Sequence, residues 1–180
     1  MKQITVIILF LFFCGISCTK DDLTGIEGKY KLVEVEAEPS VDLNFDEKSH
    51  TNLQQEMLHL ANSALYVYKD ETDFSVDLLW PEFLLNKIIF LEGMPTAYSE
   101  DMIIDYVNVS FQYFVKIQKG VIYKQQPIVN DGSIYTFDFP ETMEYNGKKN
   151  EIYFETSQQI ILKTGPQSIR IKAIFKKTSH

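Results

Sequence analysis

The sequence predicts an all-β domain, an antiparallel meander of about eight or nine strands that curls shut into a barrel and carries one short inserted helix. Three observations predict it. From Asp105 to Gln118, Val107, Val109, Phe111, Tyr113, Val115 and Ile117 alternate with Asn108, Ser110, Gln112, Phe114 and Lys116, the period of a strand with one buried face. Phe74, Val76, Leu78 and Trp80 alternate with Ser75, Asp77 and Leu79, and Ile169, Ile171, Ala173 and Phe175 alternate with Arg170, Lys172 and Lys176. Turn signals separate such runs: Asp70 to Asp73, Lys119-Gly120, Asn130-Asp131-Gly132, Tyr145-Asn146-Gly147 and Thr164-Gly165-Pro166. Asn-Gly and Asp-Gly supply the positive φ of tight hairpins, so consecutive strands pair as antiparallel neighbours. Thirteen phenylalanines and ten tyrosines favour strands over helices. A meander of that length closes because closure removes its exposed edges.

Taken from the N-terminus, residues 1–17 read as a secretory signal: Lys2 precedes an apolar stretch from Ile4 to Phe13, and small or polar residues follow at Gly15 and Ser17. A spanning helix needs about 20 apolar residues, more than this stretch offers. Gly15-Ile16-Ser17-Cys18 resembles the lipobox of bacterial lipoproteins, and the resemblance implies cleavage before Cys18 and lipidation of its thiol. Cys14 leaves with the signal, so the mature chain has no disulfide to stabilise it and depends on its apolar core. Acyl chains contribute about 0.8 kcal/mol per buried CH₂, so several of them attach a protein to a membrane durably. Residues 18–26 are then a lipidated tether. Lys20, Asp21 and Asp22 resemble the export signal of surface-displayed lipoproteins of the Bacteroidetes, which implies an outer-membrane protein facing outward.

The remaining residues, 27–180, have the size of one domain. Gly28-Lys29-Tyr30-Lys31-Leu32-Val33 resembles the first strand of lipocalin-like domains, with Tyr30 where that family carries tryptophan. The resemblance implies that a basic residue of the last strand lies across this ring and closes the barrel, a role it gives to Arg170. Such a cation contributes about 0.5 to 2 kcal/mol. The segment from Val41 to Met57 also resembles lipocalin-like lipoproteins of gut Bacteroidetes, in which an Asp-x-Asn-x-Asp run precedes a short helix. Thr51 to Asn62 is read as that helix: Leu53, Met57, Leu60 and Ala61 recur at helical spacing, and Thr51 with Gln54 can form a capping box.

Composition narrows the function. A net charge of −8 disfavours nucleic acid, whose phosphates demand Lys and Arg, and repels an anionic membrane face. Asp42, Asn44 and Asp46 occupy alternate positions like the first oxygen ligands of a calcium loop, but the sixth position is Glu47 and the twelfth Leu53. An Asx-rich turn entering a helix explains the same residues, and no other cofactor is expected. Glu34 and Glu36 fall roughly 7 Å apart on one side of a strand, beside apolar residues facing the other way, as on a solvated face. Trp80, Phe111, Tyr113, Phe137 and Tyr153 are candidates to line a cavity or form a stacking platform, although ordinary core accounts better for such rings, which fill barrels of this size. The leading expectation is a non-enzymatic, lipid-anchored surface protein that binds a small apolar ligand in its barrel or assists nutrient capture. The alternative is a binding module, for glycan, adhesion or assembly, that uses the outer face of a filled barrel.

Overall fold

A computed structural model describes residues 23, 25–44, 46–71, 73–85, 103–125, 139–162 and 164–179. Cys18, Lys20, Asp21, Asp22, Phe137 and the Asn130-Asp131-Gly132 turn lie outside the described residues. The strands are β1 (Gly28–Val41), β2 (His50–Asn52), β3 (Ala64–Asp70), β4 (Asp73–Leu85), β5 (Ile103–Gln118), β6 (Val121–Lys124), β7 (Thr142–Asn146), β8 (Glu151–Leu162) and β9 (Gly165–Lys177). From β3 onward each strand pairs with the next, β3 pairs with β1, and β9 returns to β1. Every pairing is antiparallel. The result is a lipocalin-like barrel of eight strands, with β2 as one extra strand along the second half of β1.

The predicted alternation sorts side chains as expected. On β5, Phe111, Tyr113, Val115 and Ile117 are buried while Ser110, Gln112, Phe114 and Lys116 are exposed. Strand β1 departs from strict alternation. Its register with β9 shifts between Leu32 and Glu34, so Val33 and Glu34 both face water and the inward series resumes at Val35 and Ala37. Glu34 and Glu36 are exposed, as on a solvated face.

The two ends of the barrel differ. At one end lie the short hairpins β3 to β4, β5 to β6 and β7 to β8, together with the start of β1. Lys119 and Gly120, with φ of 51° and 80°, make the two-residue turn between β5 and β6. A side chain on Gly120 would come within 3.0 Å of the Tyr145 carbonyl oxygen. At the other end β4 and β5, and β8 and β9, extend as long paired arms, and β3 does not reach that far along β1.

The inserted segment lies beside that stretch, but it is not one helix. Helix α1 is a single turn, Leu53–Glu56, and Leu58–Asn62 forms a 3₁₀ helix packed near β1, β4 and β5. Between them Met57 is extended, with φ −131° and ψ 93°. Thr51 belongs to β2, and the cap is Asn52, whose side chain accepts from the Gln54 amide at 2.9 Å. Pairing of Asn52 with Glu36 holds the chain in a strand until that residue. Leu53, Met57 and Leu60 are buried, so the apolar spacing located the face correctly although the backbone changes conformation beneath it. No helix among the described residues is long and apolar enough to cross a membrane.

Candidate functional site

The hairpin end is sealed. Ile26 and Tyr30 are wholly buried, and the Tyr30 hydroxyl donates to the Ile26 carbonyl at 2.5 Å. Burial, with Tyr145 nearby, raises the Tyr30 phenol above its ordinary range and keeps it a neutral donor. The residue paired with Tyr30 on β9 is Lys177, whereas Arg170 pairs with Glu38 near the far end of the same ladder. The basic residue crossing the start of β1 is therefore Lys177 and not Arg170. Lys177 Nζ donates to the Gly25 carbonyl, and a side chain at Gly28 would meet Lys177 Cε at 3.0 Å. Arg170 faces outward and pairs with Glu155.

Inside, three of the proposed lining residues are core. Trp80 is 2% exposed, Phe111 8% and Tyr113 1%. Trp80 packs 5.5 Å from Phe154, which lies 5.5 Å from Phe175, and Tyr113 meets Phe139 edge-on at 5.0 Å. Leu78, Met143, Phe154 and Phe175 have no exposed surface at all, so no water-sized space adjoins them. Tyr153 does not join this group. It occupies the outward register of β8, and its hydroxyl donates to Glu155 Oε2 at 2.6 Å.

Asp42, Asn44 and Asp46 each turn one oxygen to the loop's own backbone, while Asp42 Oδ1 is shielded and has no hydrogen-bond partner. Asn44 Oδ1 accepts from the Asp46 amide at 3.1 Å, Asp46 Oδ1 from Lys48 at 2.9 Å, and Asp42 Oδ2 from Glu47 at 3.1 Å. These are Asx-type turns, and Glu47 takes the left-handed φ of 68° that the bend requires. No group of three or more His, Cys, Asp or Glu among the described residues could hold a metal ion. The loop is anchored by Glu56, a carboxylate the sequence did not single out. It is 2% exposed; Oε2 accepts from the Leu43 amide at 2.8 Å, and Oε1 lies 2.5 Å from His50 Nδ1. The loop walls a cleft of about 430 Å³ against the hairpin between β8 and β9, lined by Ser40, Asp42, Glu47, Thr164 and Gln167 among others.

The outer wall of β3 to β6 carries the rings that no core explains. Tyr68 is 48% exposed, Phe114 55% and Tyr123 49%. Tyr66 lies parallel to Tyr68 within 5°, with centroids 6.2 Å apart, and Lys29 Nζ sits over the Tyr66 ring at 5.2 Å. Register places Ser75 between Tyr68 and Phe114 in one cross-strand row, and Asp77 between Tyr66 and Gln112 in the next. Asp77 is half-buried; its Oδ1 is shielded from water and has no hydrogen-bond partner, and burial raises its carboxyl above the usual range. The one sequence signal for this patch is Phe114, an aromatic ring in the otherwise polar register of β5.

No protein-family model matches the chain, and neither a curated protein nor a solved structure matches it. The class defined so far is the lipocalin-like barrel, and the functional reading rests on the side chains alone.

Proposed function

We propose that this protein is a non-enzymatic, lipid-anchored module of the outer membrane, displayed at the cell surface, which binds its target with the outer face of β3 to β6. The barrel interior serves as core. What supports this reading over an interior carrier is the partition of aromatic residues: Trp80, Phe154 and Phe175 pack in series inside and Tyr113 is buried against Phe139, while Tyr68, Phe114 and Tyr123 stand about half exposed on one outer patch. Rings held on a rigid sheet bind at little entropic cost, because their backbone is already fixed. The lipid on Cys18 supplies the attachment, since the chain's net charge of −8 gives it no affinity for an anionic bilayer.

A photo-cross-linking residue placed at position 114, and at position 157 on β8 as a control, tests the reading in intact cells. Adducts to a non-self molecule from position 114 and not from position 157 are the expected result. Equal labelling at both positions, or none at 114, overturns it. Metabolic labelling with palmitate, abolished by Cys18→Ala, is the expected result for the anchor.

A further inference from the structure

We infer that the sealed hairpin end of the barrel seats on the anionic phospholipid headgroups of the leaflet that holds the Cys18 acyl chains, tilted so that a basic half of its rim meets the lipid and the ring face of β3 to β6 turns away. This orientation rests on the lipid anchor of the proposed function and adds the surface on which the domain leans.

Covalent reach sets which end is near. Leu23 packs against the core, the Ile26 amide donates to its carbonyl at 3.2 Å, and Lys177 donates to the Gly25 carbonyl, so the chain joins the barrel at the hairpin end. Cys18 precedes Leu23 by five residues, a span of at most about 18 Å. Strand β8 runs 12 residues away from that end, roughly 40 Å along the strand. The tether therefore holds the hairpin end close to the lipid and leaves the far end unattached.

Charge sets the tilt. Lys119 stands in the turn between β5 and β6, Lys148 and Lys149 in the turn between β7 and β8, Lys176 and Lys177 end β9, and Lys29 lies at the start of β1. Three backbone hydrogen bonds join these pieces into one stretch of rim, from Tyr145 to Gly120, from Lys177 to Asn150 and from Thr178 to Lys29. The acids among them are Glu27 and Glu151, the latter 4.0 Å from both Lys149 and Lys176. Six lysines against two glutamates make this stretch basic in a chain of net charge −8. Lys20, Asp21 and Asp22 of the tether, together with a carboxylate at the chain end, would not reverse that sign. The wall turns acidic only farther from the rim, at Glu34 and Glu144.

The turn between β3 and β4 has the opposite sign, with Asp70, Glu71 and Asp73 against Lys69. In the closed order β1-β3-β4-β5-β6-β7-β8-β9, β3 stands across the barrel from β7 and β4 from β8, so this acidic turn lies opposite Lys148 and Lys149. A negative surface draws the basic side down and pushes the acidic side up. Tyr68 on β3 and Phe114 on β5 belong to the rising side and face the exterior, where a target can reach them. Range explains why the net charge does not oppose the seat. Fields decay over about 8 Å at physiological ionic strength, and Glu38, Asp42 and Glu47 lie toward the far end, several such lengths from the lipid. The chain as a whole is not recruited by an anionic bilayer, but once acyl chains hold it the rim alone feels the headgroups.

Single cysteines introduced into the full-length lipidated protein and labelled with a fluorophore test the orientation, since Cys14 leaves with the signal and Cys18 is blocked by its lipid. Tyr153→Cys and Ser75→Cys form a matched pair, each outward and two residues into its strand, on the basic and the ring side; Thr164→Cys marks the far end. The protein is held in vesicles of phosphatidylcholine, alone or with an equal part of phosphatidylglycerol, that carry a headgroup-bound quencher. In the anionic vesicles at low salt, quenching at 153 should exceed that at 75 at least about twofold, and 164 should be quenched least. High salt, neutral vesicles, or combined Lys119→Gln, Lys149→Gln and Lys176→Gln should bring 153 and 75 together, with the urea midpoint of the variant nearly unchanged. Equal quenching at 153 and 75 in anionic vesicles, a difference that salt leaves intact, or strongest quenching at 164 overturns the inference. Palmitate labelling separates the two levels. A parent without palmitate sinks the anchor and the seat together, whereas a palmitoylated protein with equal quenching sinks the seat and leaves the anchor standing.

Discussion

Phe154 on β8 and Phe114 on β5 are the same residue type in one barrel wall, yet they meet opposite fates. Phe154 points inward, has no exposed surface and touches Trp80 and Phe175; Phe114 points outward and is 55% exposed. The inner ring is held by packing and contributes to the fold, so its chemistry is already used. The outer ring contributes little to the fold and keeps a free face. Where the described inward residues already pack against one another, the residues available for recognition are those the hydrophobic effect has not already committed. A large ring left in water on a rigid strand is therefore more informative about function than three rings in the core.

The largest effect should come from the inner side. Phe154→Ala opens a cavity beside Trp80 and Phe175, and removing a buried phenylalanine costs about 3–5 kcal/mol. Urea unfolding followed by Trp80 fluorescence measures it, and a loss near zero would mean that the interior is not packed as described. Glu56→Ala extends the comparison to a buried polar group. It strips the Leu43 amide and His50 of their partner, which should cost about 1.5–3 kcal/mol, whereas Glu56→Gln keeps an acceptor and should cost less. Tyr30→Phe is smaller again. It deletes only the hydroxyl bonded to Ile26 and should cost about 1 kcal/mol in the same assay.

The division between inner and outer rings was partly legible in the sequence. Along β5 the polar partners Asn108, Ser110, Gln112 and Lys116 fix which side is wet, so Tyr113 is assigned inward and Phe114 outward from the alternation alone. Along β3 the same reasoning fails: Leu65 and Val67 alternate with Tyr66 and Tyr68, all four are strand formers, and tyrosine is at home on either face. The face of Tyr153 is open in the sequence for the same reason, since Ile152 and Phe154 compete with it for the interior. The partner of Tyr30 was not legible either. A single extra residue near Val33 and the length of β9 together decide that Lys177, rather than Arg170, stands opposite, and a bulge leaves no mark on a period-two pattern. Glu56 carries no mark in the sequence because its role depends on amides of Leu43 and Asn44, more than ten residues away in the chain.

Asp77 provides a pH test that separates the two sides. Burial raises its carboxyl pKa in the folded protein, so the folded state holds this proton more tightly than the unfolded state does. Its contribution is therefore most favourable below the ordinary carboxylate range and declines as pH rises from there through the raised folded value. Asp77→Asn cannot lose that proton. The variant's stability relative to the parent should increase between about pH 3 and pH 7, as read from urea midpoints at each pH. A difference that stays flat would mean that Asp77 is as well solvated folded as unfolded, and the patch would lose its shielded acceptor.

The smallest expected change in stability is also the one that most directly sharpens the comparison. Tyr68→Ser and Phe114→Ser remove rings that are about half exposed and lie outside the core, and such surface substitutions fall within about 0.5 kcal/mol of the parent. Their urea midpoints should nearly superimpose on the parent's, in contrast to the large displacement from Phe154→Ala, although Phe114 and Phe154 are chemically identical. If Phe114→Ser instead destabilised the protein by several kcal/mol, the ring would belong to the fold and could not be counted as free for recognition. A null effect on stability combined with loss of the cross-link from a neighbouring position such as 112 would assign the ring to binding. The fold then has no use for it, and the outer wall of β3 to β6 keeps it for a ligand.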